Sequence, residues 1–161
     1  MTATRYTSIE TPLGTGYYAY TERGVVMISV GDEDRFLDDA HRRFGEEPMR
    51  SDPPAAFAER VRECLERGDG SIVDWDSLPA FQRRVLEACA AIPRGSVASY
   101  GELAEAIGAP RAARAVGTAL ARNPIPLLIP CHRVVRAGGM IGNYGLGGAA
   151  VKTRLLQAEN V

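Results

Sequence analysis

Ile129-Pro130-Cys131-His132-Arg133-Val134-Val135 sets a thiol directly beside an imidazole and a guanidinium, just after a short apolar run. A cysteine acts as a nucleophile only as its thiolate, so it needs a base or a positive neighbourhood, and His132 with Arg133 can supply both. The same residues also read as a buried structural cysteine at the end of a helix or strand. The sequence on either side decides between these readings.

Upstream, Ser99-Tyr100-Gly101-Glu102 spells a capping box, in which the serine hydroxyl satisfies a free amide while the glutamate reaches back. It predicts a helix from Tyr100 to Ile107, with Leu103 and Ile107 one turn apart on its buried side. Gly108-Ala109-Pro110 ends that helix, and a second, from Arg111 to about Ala121, buries Val116 and Leu120. Two short helices joined by a tight turn make a helix-turn-helix outline. The open face of the second carries Ala112, Ala113, Ala115 and Gly117, where a major-groove reader would carry Asn, Gln or Lys. Small residues let a backbone approach closely, which suits a helix laid in the minor groove, where shape outweighs sequence. Arg114 is the one long side chain on that face able to enter a duplex. An alanine-rich helix packed in a core, with Arg114 in a surface ion pair, would have the same spelling.

Pro130-Cys131-His132-Arg133-Val134 resembles the acceptor motif of the O6-alkylguanine-DNA alkyltransferases. Arg111-Ala112-Ala113-Arg114-Ala115-Val116-Gly117 and Arg122-Asn123-Pro124-Ile125-Pro126 extend the resemblance upstream, and Gly142-Asn143-Tyr144, Lys152 and Glu159 extend it downstream. It is strong from about Phe81 to Glu159 and only general before that. The resemblance implies direct, irreversible repair: the alkyl group of O6-alkylguanine moves to Cys131 once per chain, with O4-alkylthymine left open as a second substrate. Adjacent side chains do not face each other on a regular helix or strand, so His132 is expected to act on the thiol through a bridging water, and the resemblance implies that Glu159 orients the imidazole as a triad carboxylate does. Tyr100 would lie against a flipped base and donate its proton, and Asn123 would be the hinge between recognition helix and cysteine segment.

By the same resemblance Arg114 fills the space left by the extruded nucleotide. Tyr144 stacks on the base, backbone amides near Gly145 face the guanine oxygen, and the Val134 carbonyl accepts from the exocyclic amine. The implied partner is double-stranded DNA, gripped through its minor groove by Ala112, Ala113, Arg114, Ala115 and Gly117. No cofactor and no metal is implied, and a cytoplasmic monomer is expected. The chain departs from the family pattern in one place. Tyr144 and Lys152 stand one residue further apart than expected, through Tyr144-Gly145-Leu146-Gly147-Gly148, which bears on the alkyl groups the pocket admits. Two other functions stay open: an alkyltransferase-like lesion-binding protein, a class that lacks the acceptor cysteine, and a Cys-His-carboxylate hydrolase, which would turn over many acyl substrates per chain.

The first half reads as a small α/β unit. Arg5 to Ile9, Gly16 to Thr21 and Val25 to Val30 are three short strands in an antiparallel meander, with turns at Thr11-Pro12-Leu13-Gly14 and Glu22-Arg23-Gly24. Asp32 to Phe44 places Phe36, Ala40 and Phe44 at steps of four, a helix with acidic residues first and arginines last. Ala55 to Arg67 is a second helix, with Phe57, Val61 and either Cys64 or Leu65 on one face. Ser71 to Asp74 is expected as a last strand, and Pro79 as the first helical residue before Phe81. The fold class is therefore α+β: a lobe over 1–76 with an antiparallel sheet and helices, then a mostly helical DNA-binding and acceptor domain over 77–161. Trp75, between them, is expected to anchor their interface rather than to stack on a base.

The composition, 45% hydrophobic and 24% charged, is that of an ordinary globular chain, with no stretch resembling a signal peptide and no apolar run of membrane-spanning length. Cys64, Cys89 and Cys131 fit neither a disulfide framework nor paired zinc ligands, and Cys64 and Cys89 read as small core residues. The net charge of -1 hides an asymmetry. Residues 1–79 hold 9 arginines against 16 carboxylates, a net of -7, while residues 80–161 hold 10 basic residues against 4 glutamates, a net of +6. Such a split suits a C-terminal half that faces a polyanion.

Overall fold

The structure, a computed structural model, describes residues 3–142 and 144–161; Met1, Thr2 and Asn143, the last quoted above for the family resemblance, lie outside the described residues. Strands β1 (Arg5–Thr11), β2 (Gly14–Thr21) and β3 (Gly24–Val30) form the expected meander through two-residue loops. Alternation gives the sheet two apolar faces. Ile9, Tyr18, Tyr20, Val25 and Ile28 enter the main core, and Tyr6, Ala19, Val26 and Met27 enter a smaller one. Val26 and Met27 share a face because the register shifts beside them: Ala19 opposes Met27, whereas Tyr20 opposes Val25. Val26 is the extra residue of a bulge.

Helix α1 (Glu33–Phe44) buries Phe36 and Ala40 against the smaller face, and Asp32, the residue before it, caps it by accepting the Arg35 amide at 3.2 Å. Helix α2 (Ala55–Arg67) buries Val61 and both Cys64 and Leu65 in the main core. Two expectations need correction, and one strand is additional to them. A two-residue strand β4 (Met49–Arg50) pairs in parallel with β1; so short an element has no alternation to read. Residues 71–74 do not form a strand: Gly70–Ile72 is a 3-10 turn, followed by a single bridge from Val73 to Val25. The Asp69 carboxylate accepts the Ser71 amide at 2.9 Å, a local bond that competes with extended backbone. Pro79 is the N-cap of α3 (Ala80–Ala90), not its first residue.

Beyond α3 come β5 (Ala98–Ser99), α4 (Tyr100–Ala106), α5 (Ala113–Ala121), β6 (Val134–Val135) and α6 (Gly148–Ala158). The capping box is formed, with Glu102 N donating to Ser99 Oγ and Ser99 N to Glu102 Oε1, both at 3.0 Å. Helix α5 starts two residues later than expected, because Arg111 and Ala112 belong to the turn, where Ala112 N donates to the Ala109 carbonyl at 2.9 Å. In α6 the buried face is Lys152 and Leu156, with Val151 and Leu155 half-buried, and Glu159 caps the helix just past its last turn. One apolar cluster draws on both halves, from Tyr18, Val61 and Cys64 to Leu86, Cys89, Val116 and Ile129, and Trp75 packs against it. No helix among the described residues is long and apolar enough to cross a membrane.

Candidate active site

Cys131 opens a 3-10 turn, Cys131–Arg133, and is reached from α5 through the loop 122–130. Within that loop Leu127 adopts a left-handed backbone (φ 74°), a conformation that costs a residue with a Cβ about 1 kcal/mol and must be held by its surroundings. Asn123 does much of the holding: its Oδ1 accepts the Ile125 amide at 2.9 Å and its Nδ2 donates to the Ile129 carbonyl at 3.3 Å. The Ile129 amide closes the loop on the Ile125 carbonyl at 3.0 Å. A polar side chain just after α5 thus fixes the backbone that delivers the sulfur.

Behind the sulfur lies a closed ionic cluster. Arg133, 2% exposed, donates from Nε and Nη2 to the two oxygens of Glu159, each at 2.9 Å. Its Nη1 donates to the Ile92 carbonyl at 2.9 Å and its Nη2 to the Arg67 carbonyl at 3.0 Å. Gly68, at the end of α2, makes room for it. A Cβ there would stand 2.8 Å from Nη2, and the left-handed φ of 64° suits glycine. His132 Nε2 meets Glu159 Oε2 at 3.0 Å. An ionised carboxylate only accepts, so Nε2 carries the proton and Nδ1 keeps its lone pair, with no hydrogen bond among the described residues.

Burial lowers the His132 pKa, against the pull of Glu159, so the imidazole is neutral and able to act as a base. Burial also opposes the Glu159 charge, but the bonds from Arg133 and His132 outweigh it and hold the carboxyl below its usual range. Burial pushes the Cys131 thiol up, partly offset by the Asn123 side chain and the Lys152 charge. The positive surroundings expected from Arg133 are therefore absent: its charge is matched by Glu159, and Lys152 is the cation that favours the thiolate. Lys152 is itself buried, which lowers its pKa, with Cys131 the largest opposing influence; its Nζ also lies 6.0 Å over the Tyr100 ring. A resting thiol beside a neutral imidazole requires a base to ionise it.

In front of the sulfur a cavity of about 550 Å³ opens to solvent, with Cys131 half-buried in its wall. Tyr100, Ala113, Arg114, Gly117, Tyr144 and Gly145 line it, all expected at the site from the sequence, together with Leu120, expected only as helix core, and Ala121 and Arg136, which the sequence did not bring to the site. Arg114 is exposed, and a Cβ at Gly117 would touch the Tyr100 ring at 3.9 Å. Tyr144 sits edge-on to His132 with ring centroids 6.4 Å apart. Three of the residues expected to touch the duplex or the base lie outside this lining, as do Asn123, His132 and Glu159 behind the sulfur. Ala112 and Ala115 sit at the start of α5, half-buried and exposed respectively, and Val134 is sealed in β6 opposite Ala98.

A half-buried thiol facing an open cavity, a neutral histidine behind it and a small-residue helix carrying Arg114 at the rim fit a cysteine-dependent enzyme that acts on nucleic acid. Residues 80–161 match the family described as 6-O-methylguanine DNA methyltransferase, DNA binding domain. The chain is 38% identical over 162 residues to the methylated-DNA–protein-cysteine methyltransferase of Mycolicibacterium paratuberculosis, covering 96% of this chain and 91% of that protein. It is also 38% identical to the bifunctional transcriptional activator/DNA repair enzyme Ada of Escherichia coli, of which it spans 46%. The crystal structure of Mycobacterium tuberculosis OGT in complex with DNA superposes with a TM-score of 0.72 at 34% identity, covering 96% of this chain and 92% of that one. The chain belongs to the O6-methylguanine-DNA methyltransferase family, whose members repair DNA by moving an alkyl group from guanine to a cysteine of their own.

Proposed function

We propose that Cys131 is the sulfur that receives the alkyl group, once per chain. The observation that carries this reading is the position of Cys131 between the open cavity and the neutral His132 with its carboxylate partner Glu159. His132 and Glu159 then serve as base and orienting carboxylate, the thiol proton passing to His132 Nδ1 through a bridging water, because adjacent side chains do not face one another. Sulfur displaces guanine at the alkyl carbon, and Tyr100 protonates the departing base. The product is a thioether, which thiol exchange does not reverse.

The lesion reaches the cavity by rotating out of a duplex bound through its minor groove. Helices α4 and α5 act as a helix-turn-helix, with Ala112, Ala113, Ala115 and Gly117 against the groove and Arg114 in the vacated space. Tyr144 stacks on the base, the Gly145 amide faces its oxygen and the Val134 carbonyl accepts from its amine. Residues 77–161 form the DNA-binding and acceptor unit, and 1–76 the lobe that braces it through Arg67 and Gly68. The chain works as a monomer in the cytoplasm. Titrating it with excess duplex containing O6-methylguanine tests the reading: one lesion disappears per chain, whereas continued turnover indicates a hydrolase and binding without loss of lesion indicates a lesion sensor.

A further inference from the structure

The short parallel pair β5–β6 aligns Ala98 with Val134 and Ser99 with Val135, so the next residues on each side, Tyr100 and Arg136, leave the pair together at the same end. Both line the cavity that contains Cys131. Their side chains converge on Gly142, where a Cβ would lie 3.4 Å from Arg136 Cγ, 3.5 Å from Tyr100 Oη and 3.8 Å from Arg136 Nε. Gly142 has φ 76°, so it bends the backbone over the two side chains without adding bulk between them. The position of Arg136 is held from behind: its amide donates to the Met140 carbonyl at 2.7 Å, and its carbonyl accepts from the Gly139 amide at 3.1 Å.

We infer that Arg136 is a positioning residue for the proton transfer: its guanidinium steadies the negative charge that appears on Tyr100 Oη when the phenol protonates the departing guanine. The inference rests on the role proposed above for Tyr100. In the step, the Cys131 sulfur forms a bond to the alkyl carbon as the carbon–O6 bond breaks, and the O6 electron pair passes into the purine. The Tyr100 proton moves to the base, leaving a phenolate that solvent later reprotonates. That phenolate forms in a partly dry site, where a nearby cation counts for more than in water. The charged groups that bear on Tyr100 agree with this assignment: burial raises its pKa most, Cys131 adds to the rise, and Arg136 opposes both. Lys152 lies over the ring face.

The test uses the full chain and O6-methylguanine as the free base, so that no phosphate contact enters, with S-methylation of Cys131 read by mass. Arg136→Gln is expected to slow transfer about tenfold, Arg136→Lys to restore most of the rate, and Arg136→Gln to have no further effect in a Tyr100→Phe background. Removing the cation raises the Tyr100 pKa, so any loss of rate at alkaline pH should begin at a higher pH in Arg136→Gln than in the parent. If Arg136→Gln slows transfer only from duplex DNA, the residue grips phosphate and the inference fails. It fails equally if the loss is as large without the Tyr100 hydroxyl. A Tyr100→Phe variant that transfers at the parental rate would instead remove the donor role on which the inference stands.

Discussion

The two sides of Cys131 are built on opposite principles. Behind it, Arg133, Glu159 and His132 are buried, mutually bonded and tied to backbone carbonyls of Arg67 and Ile92. In front of it, Arg114 and Arg136 are exposed at the rim of an open cavity. Two arginines in the same half of the chain therefore do different work. Arg133, two residues after Cys131, ties the turn to Glu159, Ile92 and Arg67, while Arg114, seventeen residues before Cys131, lines the open cavity. Adjacency in sequence is a poor guide to which cation touches the chemistry; burial and partner geometry decide it.

Removing Glu159 should separate the sides most sharply. Glu159→Ala leaves Arg133 buried without its carboxylate, which is expected to lower unfolding free energy by about 3–5 kcal/mol in a urea titration and to slow transfer as well. A loss under about 1 kcal/mol would mean that the cluster is not what holds the turn. Arg114→Ala should do the reverse: stability within about 0.5 kcal/mol of the parent, but transfer from duplex O6-methylguanine slowed about tenfold or more, with a smaller loss on the free base. Equal losses on both substrates would take Arg114 out of base extrusion.

Acidification should act on the closed side first. The folded pKa of His132 lies below its unfolded value, so the unfolded chain binds the extra proton and stability falls as pH drops below about 6.5. Glu159 is also held low, so its contribution is present above the ordinary carboxylate range and is lost as pH falls through its depressed folded value. Both effects have the same sign, and thermal melts between neutral and acid pH should show a monotonic decline; a melting temperature that rises on acidification would contradict them. The smallest effect should come from an exposed pair. Glu59→Gln breaks a 2.8 Å contact with Arg62 and should change stability by less than about 1 kcal/mol.

The elements legible in the sequence are those whose spelling repeats. Phe36 and Ala40 mark α1, the capping box marks α4, and alternation on either side of two-residue loops marks the meander. Elements two residues long, β4, β5 and β6, carry no period and were not readable, although the β5–β6 pair is what brings Tyr100 and Arg136 together. The 3-10 turn at Gly70 reads as a strand in the sequence because the bonds that hold it, Asp69 to the Ser71 amide and Val73 and Trp75 to the Gly70 carbonyl, leave no periodic signal. At the site, the family motif singled out Cys131, His132, Asn123 and Glu159, and the structure places them around one turn. The motif does not say which neighbours carry charge toward the sulfur. That Arg133 turns away from the sulfur to Glu159 while buried Lys152 bears on Cys131 depends on the packing of α2 and α6, some 65 residues before and 20 after the turn.

The most direct measurement is peptide mapping by mass spectrometry after exposure to a duplex bearing one O6-methylguanine. One added methyl on the peptide containing Cys131, absent in Cys131→Ala while that variant still binds the duplex, is the expected result. Restored guanine accompanied by an unmodified Cys131 peptide would contradict the account.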